Sequence, residues 1–238
     1  MIGYIIAAGK QTRFNSSIPK ACYNITDNQT VLDVNIITMS KYCNKIYIVC
    51  SCGQKHFFEK ICNKYTNVTI LEISSGFGCG DAVYQALSLT KEHDSEPICI
   101  KWGDSIHDNP QIYECIQNIA NNVLYIPVIE EMNPYVNFVE KNNKVDVQFS
   151  KFNEVAPNTL GLHDLSIFFS THNYLYKNLS EVVFKTYYNY QYNTIHGNEF
   201  SFLDVLNYTD INAKLIKVTN IQDKSFNTID EITKIIQW

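Results

Sequence analysis

Arg13, Lys20 and Asp104 are the residues of this chain whose types and placement suggest chemistry on a phosphate. The first two belong to Ile5-Ile6-Ala7-Ala8-Gly9-Lys10-Gln11-Thr12-Arg13-Phe14 and the Ile18-Pro19-Lys20 that follows. A buried strand running into Ala-Ala-Gly brings bare backbone to the carboxyl end of a sheet. There, amide groups approach a phosphate with no side chain in the way. Arg13 and Lys20 supply cations for a triphosphate and for charge developing in a transition state. Ala-Ala-Gly alone fits an ordinary strand and a polar turn better.

Asp104 stands just past the apolar run 98–102, in Gly103-Asp104-Ser105. A carboxylate at the end of a buried strand is costly without a partner. Magnesium is a natural one, since it takes carboxylate and phosphate oxygens in octahedral geometry; a turn aspartate is equally good chemistry. Gly76-Phe77-Gly78-Cys79-Gly80-Asp81-Ala82 precedes a helical segment. Its glycines allow backbone to approach a base or ribose, and Asp81 suits a helix cap or first turn. A flexible strand-to-helix connection is the plainer reading.

The elements that must position these residues follow from hydrophobic period. Strand-length apolar runs at 2–7, 45–50, 68–73, 97–102 and 123–128 alternate with helical patterns at 31–42, 55–65, 81–90 and 111–120. The expectation is an α/β fold: a Rossmann-like, mostly parallel sheet with helices on both faces. A small, partly antiparallel insertion follows, with strands 137–141 and 144–149 flanking Asn142-Asn143. An apolar run at 165–169, a helix at 198–207, a strand at 213–218 and a helix at 228–236 complete the pattern. This reads as one domain, 1–238, with a nucleotide-binding core at 1–128, an acceptor-side region at 129–212 and a closing strand and helix at 213–238.

Composition narrows the partners. The net charge is −5, with 19 Lys+Arg against 24 Asp+Glu, so no footprint for nucleic acid is present and a free nucleotide is expected. The run 2–8 lacks a basic flank and is too short for a signal peptide, and no run reaches membrane-span length. A cytoplasmic protein with no membrane partner is the expectation. The 8 cysteines form no CxxC pair, and most read as small buried hydrophobes.

Ala7, Ala8, Gly9, Arg13, Pro19 and Lys20 resemble, with matching spacing, the A-A-G-x-G-x-R…P-K signature of the nucleotidyltransferases that make activated sugars and polyols. Gln11 departs from it, standing where that family usually has a second glycine. The segment 76–82 resembles the family's second glycine loop, Gly103-Asp104 its G-D motif, and Asn227-Thr228-Ile229-Asp230-Glu231 its closing N-T-P-E-D-L turn.

The resemblance implies a Mg2+-dependent transfer of a nucleoside monophosphate from a triphosphate to a small phosphorylated acceptor, with release of pyrophosphate. It implies nucleotide binding by Ala7, Ala8, Gly9, Lys10, Gly76, Gly78, Gly80 and Asp81. Arg13 would stabilise the leaving pyrophosphate and Lys20 would bridge α-phosphate and acceptor. Asp104 and Asn227 would hold the metal, with Asp223 the rival to Asn227. Lys151, following its hairpin as a family lysine does, would contact the acceptor phosphate, although a solvated lysine fits too. Glu199 and Asp204 would line the acceptor pocket or face water.

Pyrimidine-reading relatives that use UTP or dTTP usually carry a Gln before the second loop; Ser74, Ser75 and Gly76 stand there instead, which leaves CTP as the favoured nucleotide. The chain's length and short closing helix resemble phosphocholine-type cytidylyltransferases and the capsule enzyme that activates phosphorylated glutamine. Three other readings stay open: a sugar-1-phosphate uridylyl- or thymidylyltransferase, a catalytically inactive nucleotide-binding subunit, and a dinucleotide-dependent oxidoreductase. The last is disfavoured because no G-x-G-x-x-G opens the chain. The run Tyr187-Tyr188-Asn189-Tyr190-Gln191-Tyr192 could cage a quaternary amine, but packing or a homodimer contact is the commoner use of such residues.

Overall fold

Ile2–Ile6 forms the first strand, β1, and every one of its residues is buried. A strand without an exposed face must be covered on both sides, which is the condition of a parallel sheet. A computed structural model describes residues 1–9, 16–74, 76–107, 111–114, 119–142, 144–195, 197–219, 224–225 and 231. Chain order continues with α1 (Val31–Met39), β2 (Lys45–Ser51), α2 (Lys55–Cys62), β3 (Val68–Ile73), α3 (Cys79–Leu89) and β4 (Pro97–Trp102). Then come β5 (Leu124–Met132), β6 (Val136–Lys141), β7 (Lys144–Phe149), β8 (Leu160–Asp164) and β9 (Ile167–Thr171). Helices α4 (His172–Thr186) and α5 (Asp204–Tyr208) and strand β10 (Ala213–Lys217) follow.

The chain divides into two units. One comprises Met1–Gly76, Ile98–Asn109 and Gln222–Trp238; the other comprises Phe77–Pro97 and Pro110–Ile221. In the first unit β1 lies between β4 and β2, and β3 pairs with β2. All three pairings are parallel, and the crossover from β1 to β2 carries α1. Helix α1 starts on a capping box, in which Thr30 accepts from the Asp33 amide and Asp33 accepts from the Thr30 amide. Asp33 is also held by Lys64 Nζ at 3.0 Å and Tyr65 Oη at 2.8 Å. A Cβ at Gly3 would sit 2.8 Å from Met39 Cε, so the end of that side chain would have to shift. The parallel α/β arrangement read from hydrophobic period is the one found.

The second unit holds the antiparallel part, and it extends further than the hairpin alone. β6 and β7 pair from Val136↔Phe149 to Lys141↔Lys144, as expected around Asn142, whose φ is 50°. β8 joins β6 to β5, β9 pairs antiparallel with β5, and β10 lies parallel to β5. Helix α4 has no counterpart among the sequence expectations, although Leu175, Leu179, Val182 and Thr186 repeat at helical spacing and all are buried. The helix expected over 198–207 is confined to Asp204–Tyr208. Phe200 and Phe202, both fully buried, spend the preceding residues on core contacts rather than on helix. No helix among the described residues is long and apolar enough to cross a membrane. The expected closing helix, 228–236, lies outside the described residues apart from Glu231, and so does 115–118 of the expected helix 111–120.

Candidate active site

In the first unit the carboxyl ends of β1 and β4 lie side by side, because Ile6 pairs with Trp102 in parallel register. The Gly103 amide then donates to the Ile6 carbonyl at 2.9 Å. Gly103 is closely packed: a Cβ would meet Ile6 O at 3.1 Å, Ala7 Cβ at 3.3 Å and Ala21 Cβ at 3.4 Å. The Ala7 amide donates to Val49 O at 2.8 Å and Ser51 Oγ donates to Ala8 O at 2.9 Å, which fixes the exit of β1. Gly9 is exposed, with open space on its Cβ side. Bare backbone is thus delivered to the strand ends.

Lys20 opens a short 3-10 turn, Lys20–Cys22, directly after Pro19. Its Nζ lies 3.2 Å from Asp104 Oδ2, closing a gap of 84 positions in the chain. The lysine side chain is 12% exposed and the aspartate 39%, so the pair sits at a surface with its cation mostly covered. Cys22, in the same turn, sits where its thiolate is disfavoured. Burial first, then the neighbouring Cys62, Cys50 and Asp33, pushes its thiol up to about 12. Ser105–Ile106, just after Asp104, pairs antiparallel with Lys224–Ser225, with Ser225 opposite Ser105. Ser225 precedes Asn227 by two positions, but Asn227 and its rival Asp223 lie outside the described residues, as do Lys10, Gln11 and Arg13.

Residues from the second glycine segment have internal partners in the second unit. Gly78 takes φ 115°, and a Cβ on it would overlap the Phe200 carbonyl oxygen and reach Phe200 C at 2.9 Å. A Cβ on Gly80 would meet the Phe200 ring at 2.7 Å. The Gly80 amide donates to Phe200 O at 2.9 Å, and the Phe200 amide to Phe77 O at 2.7 Å. These two glycines therefore have a packing reason that the sequence alone did not show. Asp81 is 5% exposed and accepts from Tyr192 Oη at 2.7 Å, Gln85 Nε2 at 2.8 Å and the Phe77 amide at 3.1 Å. Burial, and next the Asp81 carboxylate, push the Tyr192 phenol far above its usual range, so it stays a donor.

The aromatic run is a hairpin, Tyr187–Tyr188 against Gln191–Tyr192, turning through Asn189 and Tyr190 at φ 49° and 63°. Tyr192 points inward to Asp81, whereas Tyr190 is 88% exposed. Lys151 is exposed in a 3-10 turn, its Nζ 4.6 Å from the Phe152 ring centre. Glu199 is exposed. Asp204 corrects an expectation. It neither faces water nor lines a pocket, being fully buried with Oδ2 accepting from the Ser201 amide at 2.9 Å. A carboxylate three positions after Ser201, at the head of a short helix, is the capping signal that the sequence did carry.

No family model matches the chain. Among solved structures, the inositol-1-phosphate CTP transferase from T. maritima is similar, with a TM-score of 0.74 over 99% of this chain and 93% of that one. The two chains share a fold. Their sequences are 15% identical, so the likeness speaks to architecture, and the chemistry must be argued from the residues. In this fold Lys20 and Asp104 occupy the carboxyl ends of parallel strands, where open α/β sheets bind their ligands.

Proposed function

We propose that the chain is a magnesium-dependent nucleotidyltransferase. It transfers a nucleoside monophosphate, CMP from CTP by preference, to a small phosphorylated acceptor such as phosphocholine or phosphoglutamine and releases pyrophosphate. The observation that carries this reading is the approach of Lys20 Nζ to Asp104 Oδ2 at 3.2 Å. A lysine and a carboxylate from separate motifs meet at strand ends beside the bare backbone of Ala7, Ala8 and Gly9. The fold shared with a protein named as a CTP transferase supports the nucleotide and the phosphorylated class of acceptor. Decoration of a capsule or surface polysaccharide is the role that the sequence resemblance suggests.

An acceptor phosphate oxygen attacks the α-phosphorus in line, a new P–O bond forms, and the bond to the β-phosphate breaks with its electron pair leaving on pyrophosphate. No general base is required, because the phosphate is already ionised at neutral pH. What remains is positioning and charge compensation. The backbone after β1 would receive the triphosphate and Lys20 would lie between α-phosphate and acceptor; for Arg13 the sequence resemblance suggests stabilisation of the leaving pyrophosphate. Asp104 suits a hard cation: it is a part-exposed carboxylate oxygen donor at a strand end, with Asn227 the second ligand proposed from the sequence. Magnesium, when bound, lowers the repulsion between the two anions. The metal's remaining ligands would be phosphate oxygens and water.

The test is pyrophosphate release by purified protein with magnesium, crossing CTP, UTP, dTTP, GTP and ATP against phosphocholine, phosphoethanolamine, phosphorylated glutamine and sugar-1-phosphates. Release with CTP and a non-sugar phosphate supports the full reading. Release only with UTP or dTTP and a sugar phosphate keeps the mechanism and overturns the choice of nucleotide. Nucleotide binding without release across the whole panel favours the inactive-subunit reading.

A further inference from the structure

Helix α1 reaches both halves of the Lys20–Asp104 pair. At its N-terminus the Val31 amide donates to Tyr23 O at 3.0 Å, and the Tyr23 amide in turn donates to Lys20 O at 3.1 Å. One turn on, Asn35 Nδ2 donates to Gly103 O at 3.5 Å, at the peptide that joins Gly103 to Asp104. Val31 also packs on Ile106 in the strand that follows Asp104. The helix itself is fixed by the bonds of Asp33 to Thr30, Lys64 and Tyr65, so it forms a rigid support.

Asn35 is the unusual member of this set. It is 1% exposed, and its Oδ1 has no hydrogen-bond partner among the described residues. A buried acceptor left unmatched lowers stability, so packing alone would favour an apolar side chain of the same size. Among the described residues, the hydrogen bond of its amide nitrogen goes to the Gly103 carbonyl.

We propose that Asn35 is a positioning residue for Asp104. By holding the Gly103 carbonyl it sets the plane of the Gly103–Asp104 peptide, and with it the direction in which the carboxylate meets a metal–triphosphate complex. This rests on the function proposed above. Outer partners of a metal ligand contribute about 10–100-fold to metal affinity or activity.

Two variants test it, Asn35→Leu, which keeps the volume without the donor, and Asn35→Ala, which removes the donor if the leucine does not fit. Mn2+ binding is read by electron paramagnetic resonance in the presence of α,β-methylene CTP, beside kcat, KM for CTP and thermal melting. The expected result is Mn2+ binding and kcat each down about tenfold with KM for CTP unchanged, and for Asn35→Leu a melting temperature at or above wild type. A lowered melting temperature with Mn2+ binding and kcat of the folded variant at wild-type values would show a purely structural role and overturn the proposal. If wild-type protein neither binds Mn2+ with the nucleotide analogue nor releases pyrophosphate, the functional reading fails and this inference with it. If the wild type does both and the variants match it, only the role of Asn35 falls.

Discussion

Lys20 Nζ and Asp104 Oδ2 stand 3.2 Å apart, joining two turns that follow neighbouring parallel strands. The lysine occupies one oxygen of the carboxylate that the proposed chemistry assigns to a metal, so a cation bound there would share that carboxylate with the ammonium. On the function proposed above, an entering triphosphate would give Lys20 phosphate oxygens to turn to and would leave Asp104 available.

Both residues are expected to matter far more for turnover than for folding. Lys20→Ala and Asp104→Ala should each lower kcat by roughly 10²–10³-fold, as loss of one charge-stabilising group typically does. A part-exposed ion pair contributes about 0–1 kcal/mol to stability, so urea midpoints should hardly move. Near-normal turnover in either variant would remove the pair from the mechanism.

The proposed sharing of Asp104 has its own signature. Lys20→Met removes the rival cation but keeps the aliphatic stem, so Mn2+ binding to nucleotide-free protein should strengthen several-fold while turnover falls. Weaker or unchanged Mn2+ binding, measured by water-proton relaxation, would show that Asp104 is not a metal ligand in this state.

Asp33 should give the fold an acid-sensitive anchor. Burial would raise its pKa, but hydrogen bonds from the Thr30 amide, the Tyr65 and Thr30 hydroxyls and Lys64 outweigh it and leave the carboxyl below its usual value. The folded state therefore holds the proton less tightly than the unfolded chain. The stability Asp33 contributes is present above the unfolded value, about pH 4, and is lost as pH falls through the lower folded value. Asp33→Asn should cost about 1–2 kcal/mol at pH 7, the range for a lost helix cap. Chemical denaturation between pH 7 and pH 3 should show a steeper loss for wild type than for the variant.

The clasp around Phe200 predicts intolerance at Gly78. An alanine there combines positive φ with overlap onto the Phe200 carbonyl and should cost about 2–4 kcal/mol. Tyr192→Phe leaves Asp81 with one donor fewer in a buried site and should cost about 1.5–3 kcal/mol. Urea denaturation checks both, and a Gly78→Ala midpoint equal to wild type would contradict the packing described.

Strand period and glycine spacing made the first unit legible in the sequence. β3 and β4 run over the residues expected, because buried parallel strands write continuous apolar runs and little else competes for them. The motif around Ala7, Ala8 and Gly9 could be placed at a strand end for the same reason. Helix α4 was there to be read in Leu175, Leu179 and Val182, but polar and aromatic neighbours hid its period. Asp204 was misplaced although its spacing from Ser201 carried a capping signal, because its full burial depends on packing that the spacing does not show.

Other features are invisible to period and motif alike. Lys20 meets Asp104 across 84 positions, and Tyr192 meets Asp81 across 111. Gly78 and Gly80 are small because Phe200 presses on them, and Asn35 reaches a carbonyl on another strand end. The sequence determined the parallel strands and most of the helices of the first unit, since local period and backbone preference act between near neighbours. The tertiary structure decided which polar groups meet, since that depends on how closed loops and packed side chains bring distant positions within a hydrogen bond's length.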